Sequence, residues 1–231
     1  MVRPEGLEPP AYWFEASRSI QLSYGRMASS YHPSEHRFTM AVETEIKLRL
    51  RDKPEGIRRR LRELGFQITK HRVLESNILY DNAKGTLRKH GKLIRIRVTD
   101  GHCVLTYKGP SQSGKYKKRP ELEVDLSNVA TMDAIFAKIG YHPGFRYQKF
   151  RTEYAKPSGS AGKVLLDETP IGNFLELEGT ARWIDRTARQ LGFSSANYIT
   201  RGYGYLYLAY CRERRMAPTD MLFNTRLLKK G

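Results

Sequence analysis

The chain has 231 residues, 39% of them hydrophobic, with a formal net charge of +17. No apolar run approaches the ~20 residues of a membrane-spanning helix, and Cys103 and Cys211 supply neither a disulfide framework nor metal-ligand spacing. The expectation is therefore a cytoplasmic protein with no membrane association, whose excess charge answers to a polyanion: nucleic acid, phospholipid or a highly charged small molecule.

Residues 1–39 contain four Arg and four Glu, so the whole excess lies in 40–231. This leading segment has no helical or strand period, no signal-peptide apolar stretch, and an isolated aromatic cluster at Tyr12, Trp13 and Phe14. Back-translated and reversed, Gln21-Leu22-Ser23-Tyr24 can read TAGCTCAG, which resembles a transfer-RNA D-arm. Leu7-Glu8-Pro9 can read TGGTTCGAG, which resembles the T-arm. Residues 1–39 are thus expected to be a disordered tail or a spurious extension across an antisense tRNA gene, with Met40 as the initiator. Genomic DNA without a tRNA gene on the opposite strand would exclude the second reading. The folded domain is expected over 40–215, with a tail at 216–231.

From Val42 onward, period-two alternation marks strands and three stop signals mark helices. Strands are expected near 42–50, 67–82, 92–99, 102–108, 118–126, 144–155, 162–168 and 172–178. Helices end at Leu64-Gly65-Phe66, Ile139-Gly140-Tyr141 and Leu191-Gly192-Phe193, where glycine supplies a left-handed cap and the aromatic folds back. Pro54 suits the first turn of the first helix. A fourth helix is expected from about Gly202 towards Arg212. Asp100-Gly101 is a hairpin signal, and no glycine-rich loop opens a helix. The expected class is α+β: an eight-stranded antiparallel β-barrel with helices packed on its outside.

The polar faces of these strands are unusually ionic. Glu43, Glu45 and Lys47 alternate with Ile46 and Leu48 on the first strand, and Arg95 and Arg97 alternate with Ile94, Ile96 and Val98 on the third. Thr106 and Lys108 end the fourth. Arg119, Glu121 and Glu123 share a face of the fifth, Lys149, Arg151 and Glu153 a face of the sixth, and Glu176 and Glu178 a face of the eighth; Asp167 closes the seventh. Polar residues at period two are what any half-buried sheet shows to water, but such faces normally mix in Ser, Thr, Gln and Asn. Turned inside a barrel, these charges would line one chamber. Mg²⁺ or Mn²⁺ takes carboxylate and phosphate oxygens, and a triphosphate, with about four negative charges, needs several Lys and Arg around it.

Glu43-Thr44-Glu45-Ile46-Lys47 resembles the ExExK motif of the CYTH superfamily, the triphosphate tunnel metalloenzymes. The resemblance extends in order through Arg95 and Arg97, Lys108-Gly109-Pro110, Gly140-Tyr141-His142-Pro143, Lys149-x-Arg151, and Asp167 followed by Phe174-Leu175-Glu176-Leu177-Glu178. The later segments are most similar to the class IV adenylyl cyclase branch. The resemblance implies an eight-stranded tunnel, a small-molecule triphosphate substrate and Mg²⁺ or Mn²⁺. It implies Glu43, Glu45, Asp167, Glu176 and Glu178 on the metal side. It assigns the triphosphate, and with it catalysis, to Lys47, Arg95, Lys108, Lys149 and Arg151, with Arg97 also binding. Arg119, Glu121 and Glu123 are implied as tunnel-lining. Glu168 departs from the pattern by following Asp167 directly; period two from Leu165 puts only one of them inside, and Asp167 is the choice.

The implied reaction is either attack of a ribose 3′-hydroxyl on the α-phosphorus of ATP, giving cyclic AMP and pyrophosphate, or hydrolysis of an inorganic, thiamine or other organic triphosphate. A basic nucleic-acid-binding protein is the competing class, with Tyr147, Tyr203, Tyr205 and Tyr207 for stacking. Closely spaced glutamates argue against it, since without metal they repel phosphate; those tyrosines more often pack a helix on the barrel. A monomer or homodimer is expected, and His142 and His102 are assigned structural places.

Overall fold

Eight strands whose two faces differ this sharply can hide both faces only by closing on themselves, and in the computed structural model they do. It describes residues 41–51, 53–157, 159 and 161–224; residues 1–39 and the end of the expected tail lie outside these. The strands are β1 (Ala41–Arg49), β2 (Gln67–Asn82), β3 (Leu93–Thr99), β4 (His102–Lys108), β5 (Lys117–Leu126), β6 (Tyr141–Ala155), β7 (Gly162–Thr169) and β8 (Gly172–Gly179). They form a closed antiparallel barrel in the order β1-β5-β4-β3-β2-β6-β7-β8.

The apolar alternates point outward and are covered by helices. Ile46, Leu48, Val164, Leu166, Leu175 and Leu177 pack with Leu61 of α1 (Pro54–Glu63) and Ile184 and Ala188 of α4 (Ala181–Gln190). Ile96 and Tyr80 pack with Phe136 of α3 (Val129–Lys138). Burial of each such side chain contributes about 1.5–3 kcal/mol, so the hydrophobic core surrounds the barrel wall and leaves the interior to charge. A short α2 (Thr86–Lys89), which periodicity did not mark, links β2 to β3. The last helix, α5 (Tyr203–Glu213), sets Tyr203 against the inward-facing Tyr147 and Phe174.

The helix stops act as their sequence implies. Gly65, Gly140 and Gly192 have φ of +79°, +83° and +87°. After two of them the aromatic amide returns to the last turn: Phe66 to the Leu61 carbonyl at 3.0 Å, and Phe193 to the Ala188 carbonyl at 2.9 Å. Asn128 and Thr180 cap α3 and α4 through their side chains.

Several boundaries differ from expectation, most by a single residue. β6 begins at Tyr141 rather than near 144, because Pro143 sits at a register shift opposite Tyr80, a place where a missing amide hydrogen is tolerated. β5 begins at Lys117 rather than 118. Part of the expected tail is built into the fold: the Met221 amide donates to the Arg146 carbonyl and its carbonyl accepts from Gln148, both at 2.9 Å, and Met221 is buried. Among the described residues no helix is long and apolar enough to cross a membrane.

Candidate active site

Inward alternates from all eight strands line a cavity of about 530 Å³, within the ~300–1,000 Å³ common for small-molecule sites. Its lining includes ten Lys or Arg and nine Asp or Glu. That balance explains how so many cations share one chamber: most of them have a carboxylate beside them. It also means that the lining accounts for little of the chain's charge excess.

At one side, Glu43, Glu45 and Glu178 each bring a carboxylate oxygen within 4.8 Å of the others. The register explains the meeting, since Glu45 of β1 lies directly opposite Glu178 of β8. Lysines hold them: Lys108 Nζ reaches Glu43 at 2.6 Å, Lys163 reaches Glu178 at 3.0 Å, and Glu45 takes both Lys47 (3.2 Å) and Lys117. Burial would raise the Glu45 pKa, but Lys47 and Lys117 bring it well below the usual carboxylate range. Lys47, bonded also to Glu176 at 3.1 Å, is correspondingly held charged despite its burial.

A second knot lies deeper. Asp167 is fully buried; its oxygens accept from Arg151 (2.6 and 2.7 Å), Lys149 (2.9 Å) and the Tyr203 hydroxyl (2.6 Å). Arg151 also donates to Glu176 at 2.8 Å. Lys149 lies 3.4 Å from Glu75. Two lysines, Lys47 and Lys149, sit over the Tyr203 ring at 5.3 and 5.2 Å. Glu168 faces the other way and pairs with Arg58 and Arg72 outside the barrel.

The third group occupies β3, β4 and β5. Arg95 donates to Thr106 at 3.1 Å and lies 3.5 Å from Glu123, which Arg97 approaches at the same distance. Lys108 bridges Glu43 and Glu121 at 2.6 and 2.7 Å. Burial and the neighbouring Glu43 carboxyl push Glu121 up to about 7, while Glu43 stays on the ionised side through the bond from Glu121. Arg119 lines the cavity, but its guanidinium donates to the backbone carbonyls of Gly91, Lys108 and Gly109. Its contacts make it a brace for the loop after β4.

Every candidate from the strand faces is therefore in or against one chamber, with Asp167 beneath the lining rather than in it. Four participants lie outside the set drawn from sequence: Lys117, Lys163, Glu75 and Tyr203. Lys117 continues the alternation of Arg119 and Glu121 and lay one residue beyond the expected strand start. Glu75 stands on β2, where register shifts between Ile68 and Lys70 and between Lys70 and Val73 break the period. Tyr203 packs a helix on the barrel, as its position implied, yet its hydroxyl reaches the buried ion pair.

The donor set fits a divalent cation: three converging carboxylates offer only oxygen, the donor Mg²⁺ and Mn²⁺ prefer. Asp167 and Glu176 have their oxygens engaged by Arg151, Lys149 and Lys47.

A closed antiparallel barrel enclosing paired carboxylates and cations defines a polyanion-binding tunnel. The CYTH domain family matches residues 41–203, and the chain belongs to that family. Enzymes of this family act on small triphosphates and depend on metal. Over 137 residues the chain is 34% identical to a Methanocaldococcus jannaschii protein named "Putative adenylate cyclase MJ0240", covering 59% of this chain and 76% of that one. Among solved structures, the PH1819 protein of Pyrococcus horikoshii superposes with a TM-score of 0.62 at 25% identity, covering 72% of this chain and 98% of that one. HpAC1 of Hippeastrum shares the fold, with a TM-score of 0.53 at 20% identity over 76% of this chain and 98% of its own.

Proposed function

We propose that the tunnel binds ATP with Mg²⁺ or Mn²⁺ and catalyses displacement at its α-phosphorus, releasing cyclic AMP and pyrophosphate. The observation that carries this reading is the meeting of Glu43, Glu45 and Glu178 beside Lys47, Lys108 and Lys117. A metal held by those carboxylates would act as a Lewis acid towards phosphoryl oxygens. Lys47, Arg95, Arg97, Lys108, Lys149 and Arg151 would exchange part of their pairing with protein carboxylates for bonds to phosphate, stabilising charge on the leaving pyrophosphate. The 3′-hydroxyl oxygen forms the new bond to phosphorus and its proton passes to solvent, while the bond from the α-phosphorus to the bridging oxygen breaks and its electron pair leaves on pyrophosphate. Asp167 serves this reading as a positioning residue, fixing Lys149 and Arg151.

The name carried by the archaeal relative supports cyclisation. A second reading, hydrolysis of the terminal phosphate, is favoured by HpAC1, which is described as having a dominant triphosphatase activity. Incubation with ATP, inorganic triphosphate and thiamine triphosphate, each with Mg²⁺ or Mn²⁺, separates them. Cyclic AMP and pyrophosphate from ATP are expected; orthophosphate alone would replace cyclisation with hydrolysis, and no turnover of any triphosphate would end both readings. Nucleic-acid binding as the main role would instead appear as metal-independent affinity that falls steeply with salt.

A further inference from the structure

Among the described residues, all the buried side-chain atoms without a hydrogen-bond partner, save Nε of Arg58 on α1, gather on one wall of the tunnel. Oδ1 and Nδ2 of Asn77, Oε2 of Glu75, Nε of Arg95 and Oγ1 of Thr99 all belong to β2 and β3. Asn77 is 1% exposed, and on its strand face Glu75 and Leu79, two residues to either side, both line the cavity. The register sets it between Arg97 on β3 and Tyr147 on β6, which line the cavity, with Asn77 directly behind that lining. A buried carboxamide with both ends unmet is costly unless something meets them.

The same wall has a second peculiarity. The cavity has five apolar or aromatic lining residues, and Leu79, Leu93 and Tyr147 are three of them, on β2, β3 and β6. The remainder of the lining is mostly ionic. An apolar and aromatic surface beside an unpaired amide is suited to a flat heterocycle, with Arg95 and Arg97, opposite Leu79 and Asn77, left to the phosphates.

We propose that Asn77 reads the base of a nucleoside triphosphate, an inference that rests on the triphosphate reading above. Its Oδ1 accepts from the exocyclic amine of adenine and its Nδ2 donates to a ring nitrogen, with the ring against Tyr147 and Leu79. The pairing follows from complementarity: an amide offers one donor edge and one acceptor edge, as adenine does, whereas guanine presents two acceptors on the corresponding edge. Asn77 thereby sets a preference for ATP over GTP and over inorganic triphosphate, while the ionic lining holds the phosphates of all three.

The test is kcat/KM for ATP, GTP and inorganic triphosphate with Mg²⁺, in the full chain and in Asn77→Leu and Asn77→Asp. Wild type should favour ATP over GTP by about tenfold or more, the range of a bidentate amide–base pair. Both variants should lose most of that ratio, and the ATP to inorganic triphosphate ratio should fall with it. Thermal unfolding, measured alongside, identifies a variant that fails to fold. Equal use of ATP and GTP by wild type overturns the proposal without any variant, as does an unchanged ratio in folded Asn77→Asp. Turnover of no triphosphate at all counts against the tunnel's proposed function instead.

Discussion

Arg151 and Asp167 face each other across β6 and β7 in a two-point bond, Nε to Oδ1 at 2.6 Å and Nη2 to Oδ2 at 2.7 Å, with Asp167 wholly buried. Asp167 is the anion that Lys149 and Arg151 share, so neutralising it leaves two buried cations short of a partner. Asp167→Asn, which keeps the shape, should lower unfolding free energy by about 3–5 kcal/mol. Urea unfolding measures this, and a loss under about 1 kcal/mol would show that the pairing is dispensable.

Tyr203 donates to the same carboxylate at 2.6 Å, from the first turn of α5. Tyr203→Phe removes one charge-assisted bond and keeps the ring stacked near Tyr147 and Phe174. A stability loss of about 1.5–3 kcal/mol is expected, together with slower turnover from a less fixed Lys149. Native-like melting with native rates would leave Tyr203 as packing only.

Glu75 makes the barrel acid-sensitive. Burial alone would raise its pKa, but Lys149 first and Arg151 next bring it from 4.5 to about 2. A carboxylate depressed in the folded state contributes stability that is complete above its unfolded pKa and is lost as pH falls through the folded value. The window is therefore about pH 4.5 down to 2, and the contribution is on the order of 3 kcal/mol. Glu75→Gln should be less stable than wild type at pH 7, and the gap should close at low pH. A pH-independent gap in chemical denaturation would place the effect elsewhere.

Much of this chamber could be foreseen because ionic residues alternate with branched apolar ones on β1, β3 and β8, and such alternation has one meaning when both faces are buried. The stop signals at Gly65, Gly140 and Gly192 likewise carry their own stereochemistry. Ion-pair partners could not be foreseen. That Lys117 meets Glu45, or Arg151 meets both Asp167 and Glu176, follows from strand register, and register is a property of pairs of strands. Glu75 and Asn77 were hidden by the irregular first half of β2. The charge excess is the instructive case: it pointed to a polyanion, yet the lining holds ten cations against nine carboxylates, so most of the excess lies outside the cavity.

Glu45 and Arg95 test the site from its two sides. Glu45 is one of the three converging carboxylates, and Arg95 is a buried cation across the chamber. Glu45→Gln and Arg95→Ala should each reduce kcat/KM for the preferred triphosphate a hundredfold or more, a loss of about 3 kcal/mol for a group acting on developing charge. Excess Mn²⁺ should partly rescue only the Glu45 variant if its role is on the metal side. Wild-type rates in both would remove the site assignment.

With the lining nearly balanced, the surplus of positive charge lies largely elsewhere in the chain, and α1 and α4 carry a visible share. Arg59, Arg60 and Arg62 on α1 and Arg182, Arg186 and Arg189 on α4 are exposed. A surface potential of that sign raises the local concentration of an anionic substrate and its rate of arrival, and mobile ions screen it. Raising salt from about 0.05 to 0.5 M should therefore lower kcat/KM several-fold, since the Debye length shrinks from above 10 Å towards a few ångströms. Most of the ion pairs inside the tunnel are shielded from solvent, so kcat at saturating substrate should change far less. Replacing the α1 arginines by glutamine should flatten the salt dependence of kcat/KM and leave kcat in place, because none of them lines the cavity. A salt profile as steep in that variant as in wild type would return the anion's attraction to the tunnel itself.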